Sequence, residues 1–188
     1  NLQHASAGSP AIVLDAAGDA TYAGTHDFSA ATVTGVGKIL QVVSVTKVDP
    51  FTTTSTSYVD LTGMSVAITP SATGSKILVT YKLATTTRSQ GAVALIQLVR
   101  DSTAIGGGTA TGSRPSAMSA MYFNASTDPT TDLCGNYLDS PATTSATTYK
   151  LQGRIHTNTL SINTSASDAD NSIQGRPSST ITVMEVGA

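Results

Sequence analysis

Between Lys76 and Thr86 apolar and polar residues alternate with a period of two. Ile77, Val79, Tyr81 and Leu83 share one face; Lys76, Leu78, Thr80, Lys82 and Ala84 share the other. Period two marks a β-strand, whose successive side chains point to opposite sides. The pattern recurs from Thr147 to Thr157, where Tyr149, Leu151, Gly153 and Ile155 oppose a wholly polar row of Thr148, Lys150, Gln152, Arg154 and His156. That strand is predicted to have one side in a core and one in water. Ala92 to Asp101 is apolar on both sides, with Val93, Leu95 and Val99 against Ala94, Ile96 and Leu98. Lys38 to Lys47 is similar, with Ile39, Val43 and Val45 against Leu40 and Val42. A strand apolar on both faces is covered on both. The cover is either a neighbouring subunit or the chain's own N-terminal arm or a loop.

Further strands are predicted at Ser57–Leu61, Met64–Thr69, Ser116–Phe123, Asn136–Leu138, Leu160–Asn163 and Thr180–Val186. Asp49-Pro50, Thr62-Gly63, Ser140-Pro141 and Gly175 to Pro177 are the turn signals between strands. Many short strands at this spacing predict an all-β fold, a jelly-roll β-sandwich. The first residues read differently. Ala11 to Leu14 is a short strand, and an A-T-x-x-G pattern occurs at Ala20–Gly24 and again at Ala31–Gly35. Units so short bury no core alone: they are either stacked repeats or chance matches in a Thr-rich linker. The expected organisation is a β-rich N-terminal stem over residues 1–37 and a head over 38–188.

Composition narrows the function classes. Ser and Thr exceed a quarter of the 188 residues while charged residues are 12%, so the chain is polar without being charged. Its wealth of Val, Ile and Thr suits a pleated surface and argues against disorder. A net charge of −2, no run of Lys or Arg and an aromatic share of 5% give no platform for nucleic acid. No stretch approaches the ~20 apolar residues of a membrane-spanning helix. Cys134 stands alone, so neither a disulfide nor a zinc cluster forms within one chain. The chain opens at Asn1 with no initiator Met and no signal-peptide core, so the expectation is either a fragment or the loss of an N-terminal part, of the kind that often continues into an anchor.

Catalytic motifs are missing: there is no G-x-S-x-G elbow, no H-E-x-x-H and no strand-borne carboxylate pair, so no enzyme and no cofactor are expected. His4, His26 and His156 lie far apart in sequence and read as surface residues. Asp168, Asp170 and Asn171 offer alternating hard oxygens that a Ca²⁺ ion would accept. They lack the further ligands of a calcium loop, and Asx-rich turns form for their own backbone bonds. Asn124-Ala125-Ser126 and Asn163-Thr164-Ser165 match a glycosylation sequon.

The stretches Gly37–Ser44, Phe51–Met64, Ile68–Ser71, Ser75–Val79, Leu98–Thr103, Leu138–Pro141 and Ser179–Val186 resemble the C-terminal regions of bacteriophage tail-fibre and related virion proteins. The order of long and short strands is also similar to the trimeric jelly rolls of tumour necrosis factor and the complement globular heads. The first resemblance implies a virion surface protein, assembled in the host cytoplasm and exposed outside the cell. The second implies a homotrimer. Host attachment would then run through a surface glycan or an outer-membrane protein, and other virion proteins would be held through the N-terminus. The long polar loops at 104–116, 124–135 and 165–178 are the expected contact surface, with Arg114, Tyr122, Asp168, Asp170 and Arg176 as candidate receptor contacts. Two alternatives stay open: a head-fibre or capsid decoration protein, and a secreted carbohydrate-binding module. The absence of Trp disfavours the second.

Overall fold

In the computed structural model the described residues are 12–14, 20–22, 38–87, 90–124 and 130–187, and every regular element among them is a strand. The chain divides into two compact units, Asn1–Val36 and Gly37–Ala188. In the first, β1 (Ile12–Leu14) pairs antiparallel with β2 (Ala20–Tyr22). The second A-T-x-x-G copy, His4 and His26 lie outside the described residues.

The second unit runs through β3 (Ile39–Lys47), β4 (Phe51–Thr53), β5 (Val59–Ile68), β6 (Lys76–Thr86), β7 (Ala92–Arg100) and β8 (Thr103–Ile105). It continues through β9 (Ser119–Phe123), β10 (Thr131–Asp139), β11 (Thr147–Ile155), β12 (Leu160–Ile162) and β13 (Ser179–Val186). Setting aside the three-residue strands, the pairing is nested. β3 pairs β13, β5 pairs β11, β6 pairs β10 and β7 pairs β9, all antiparallel. Two further ladders, β13 with β6 and β11 with β7, roll that long hairpin into two sheets. First with last, second with seventh, third with sixth and fourth with fifth is the wiring of a jelly roll. The expected fold is therefore present.

The inward-facing residues follow the alternation read from the sequence. Ile77, Val79 and Leu83 of β6, Ile181 and Val183 of β13, Ile96 and Leu98 of β7, and Tyr149, Leu151 and Ile155 of β11 are buried in one core. Two glycines shape the sheets. Thr62-Gly63, expected to be a turn, lies inside the continuous strand β5. There Gly63, at φ +85°, takes up a register shift against β11. A left-handed glycine in a bulge bends a strand without ending it. Gly135 sits under the Tyr81 ring, where an added Cβ would lie 2.6 Å from a ring carbon. The ring thereby reaches the Ser119 hydroxyl at 2.6 Å.

Two of the expected loops need correction. Residues 131–135 belong to β10, paired with β6 along its length, and Thr103–Ile105 is a strand on β7. The polar outer positions Asp132, Cys134 and Asn136 hide β10 from a hydropathy pattern; backbone pairing on β6 overrides them.

Candidate functional site

The outer face of the β3–β13–β6–β10 sheet carries an apolar row set by strand register. Val42 lies opposite Met184, Met184 opposite Leu78, and Leu78 opposite Leu138. Val42 is 56% exposed and Leu138 48%. A second row holds Leu40, 40% exposed, Val186 and, opposite Val186 on β6, the exposed Lys76. Beside the first row the face turns polar and uncharged, with Ser44, Thr182, Thr80 and Asn136 in register and the Ser44 and Thr182 hydroxyls 2.8 Å apart. The next row holds Thr46, Thr180, Lys82 and Cys134, and Lys82 is paired with Asp132 at 3.5 Å.

The outer face of the β5–β11–β7–β9 sheet is finished differently. Asp60 accepts from Lys150 at 2.8 Å and from Gln152 at 2.6 Å, and Gln152 in turn accepts from Gln97. Arg154 lies over the Tyr58 ring, 5.9 Å from its centroid. Hydrogen bonds from Lys150, first, and Gln152 hold the Asp60 carboxyl below its ordinary pKa. The apolar second side of β7 is covered in part by the chain itself: Val99 is 3% exposed, while Val93 and Leu95 are half-buried.

A second candidate lies at the end of β7. Arg100 Nη1 donates to both oxygens of Asp139 at 2.9 Å, and the Tyr149 hydroxyl donates to Asp139 at 2.7 Å. Asp139 is buried at 4% exposure. Burial, followed by the hydrogen bond to Asp139, raises the Tyr149 phenol well above its usual range. Beside Arg100, the turn 101–103 and the loop 141–147 line a half-open polar cavity of about 390 Å³. Sequence reasoning passed over Arg100, Asp139 and Tyr149; the one visible signal was an acid at an inward position of a strand, which only the β10 register reveals.

The sequence-predicted contacts are placed as follows. Arg176 donates from Nε and Nη2 to the two oxygens of Asp168, at 2.9 and 2.6 Å. A cation at Asp168 would have to displace this guanidinium. Asn171 turns its Oδ1 to the Ile173 amide, and Asp170 is exposed. Among the described residues no group of three His, Cys, Asp or Glu side chains is placed to hold a metal. Arg114 closes a tight turn with Thr111, and Tyr122, 61% exposed, stands beside Val93 on the outer face of β9 and β7. Residues 125–129 of the expected loop 124–135 lie outside the described residues. Asn163 is fully buried and donates to the Lys47 carbonyl at 2.8 Å, so that sequon is closed in the folded chain.

No protein-family model matches the chain, and no curated protein matches its sequence. Among solved structures it is similar to VP2 of infectious bursal disease virus. The subviral particle of VP2 gives a TM-score of 0.42 at 14% identity, over 78% of this chain and 39% of that one. The T=1 particles derived from that virus give 0.43 at 14% identity, over 95% of this chain and 42% of that one. The chain thus spans about two fifths of the length of these proteins. Likeness at this level carries no function across.

Proposed function

We propose that this chain is a non-catalytic structural subunit of a bacteriophage particle, assembled as a homotrimer through the outer face of the β3–β13–β6–β10 sheet and serving attachment to the host surface. The observation that carries the assembly part is the apolar row Val42–Met184–Leu78–Leu138, exposed at its two ends and half-buried between them. On the same face Lys82 is paired with Asp132, hydroxyls and amides fill the middle rows, and the exposed Lys76 stands at one end opposite Val186. Four strands about 4.8 Å apart make the first row roughly 14 Å long. The threefold order rests on the likeness of the strand order to the trimeric jelly rolls. The virion assignment rests on the tail-fibre resemblance of the sequence.

Sedimentation at micromolar concentration tests the assembly: three chains of 19.1 kDa give about 57 kDa, and a clean single-chain mass contradicts it. Immunolabelling of particles tests the placement. Label at the tail supports attachment, whereas label over the capsid replaces it with decoration. Release of reducing ends from host polysaccharide by the purified protein would overturn the non-catalytic assignment.

A further inference from the structure

We propose that the cavity between the turn 101–103 and the loop 141–147 binds a neutral sugar, one or two hexose rings in size. This deepens the attachment reading by naming a ligand class and a place for it. The cavity measures about 390 Å³, within the ~300–1,000 Å³ of small-ligand sites. Its wall is made of complementary hydrogen-bonding groups. Arg100 spends Nη1 on Asp139, while Nε and Nη2 meet no protein acceptor among the described residues. Asp101 accepts the Thr148 amide through Oδ1 at 2.9 Å, and its second oxygen meets no protein donor among them. A cationic donor beside a carboxylate acceptor matches the vicinal hydroxyls of a sugar, each of which accepts one bond and donates another. Ser102, Thr103, Thr143 and Ser145 add hydroxyls to the lining.

Charge favours no ionic ligand. The lining carries one charge of each sign, Arg100 and Asp101, so neither an anionic nor a cationic ligand gains a net attraction there. The wall is also built to hold its shape. Arg100 is fixed by a buried acid that Tyr149 fixes in turn. Asp101 and Ala142, at φ 52° and 54°, are both left-handed at its rim, a conformation that side chains other than glycine rarely adopt. Preorganised donors bind with less ordering cost than mobile ones.

The experiment titrates the full chain with the methyl glycosides of glucose, galactose, mannose and N-acetylglucosamine, with glycerol as control, read by saturation-transfer NMR and calorimetry. At least one glycoside should bind saturably in the millimolar range. Ala146→Trp, at an exposed lining position that tolerates bulk, should fill the cavity and weaken that binding at least about tenfold. Binding by none of the four, or binding unchanged in Ala146→Trp, overturns the proposal. Solution mass is read on the same samples. A trimer that ignores every sugar rejects the cavity and leaves the assembly reading standing; a monomer that binds one does the reverse.

Discussion

The two outer faces of the sandwich differ in how much of their surface they complete internally. On the β5–β11–β7–β9 sheet, Asp60, Lys150, Gln152 and Gln97 form a closed chain of hydrogen bonds, and Arg154 rests on Tyr58. On the β3–β13–β6–β10 sheet, four strands bring apolar side chains into one row, with Val42 and Leu138 exposed at its ends and Leu78 and Met184 half-buried between them. The first face is bonded internally along β11 and keeps its apolar residues, Val93, Leu95 and Tyr122, toward β7 and β9. The second face gathers its apolar residues into one row across four strands. The same alternation of side chains produces both, so the difference lies in which residues occupy the outward positions and not in the fold.

The largest expected effect is on the buried side of that contrast. Ile155→Ala should cost about 2–5 kcal/mol, because Ile155 is wholly buried and its loss leaves a cavity. Arg154→Ala, one position along on the watered face, should change stability by no more than about 0.5 kcal/mol. Thermal unfolding of the pair checks the register; equal losses would mean that the watered face is buried in the assembly.

A smaller effect is expected at Glu185, an acid on the inward face of β13. Burial disfavours its charge, yet hydrogen bonds from Ser71 and Gln41 outweigh that and hold its pKa down to about 2, against 4.5 ordinarily. A depressed folded pKa gives stability that is present above the unfolded value and lost as pH falls toward the folded one. Glu185→Gln should therefore cost about 1–3 kcal/mol at pH 7. The gap from wild type should narrow between about pH 4.5 and 2, as measured by urea unfolding across that range. A gap that stays constant with pH would show that the carboxylate charge contributes nothing.

Much of this was legible in the sequence, for physical reasons that can be named. β6 and β11 alternate cleanly because each has one face in the core, and Lys76–Thr86 was delimited to the residue. β10 was not, because its outward residues are polar and its Gly135 is dictated by a ring on another strand. Gly63 read as a turn because a left-handed glycine serves turns and bulges equally. Glu185 broke the apolar pattern at an inward position whose partners lie more than a hundred residues away. The apolar row could be sensed only in part. Leu40 and Val42 stood out on β3, but Leu78, Leu138 and Met184 join them through register alone. The Arg100–Asp139–Tyr149 trio has the same non-local origin.

The contrast between the faces is tested most directly by placing one charge on each. Val42 and Tyr122 are 56% and 61% exposed in the single chain, so an aspartate at either is tolerated by the fold. Solution mass is then measured for Val42→Asp and Tyr122→Asp, with circular dichroism confirming the fold of both. The account predicts that Val42→Asp falls to the 19.1 kDa of one chain while Tyr122→Asp keeps the mass of the assembly. Assembly that survives Val42→Asp, or dissolves in Tyr122→Asp alone, would contradict it.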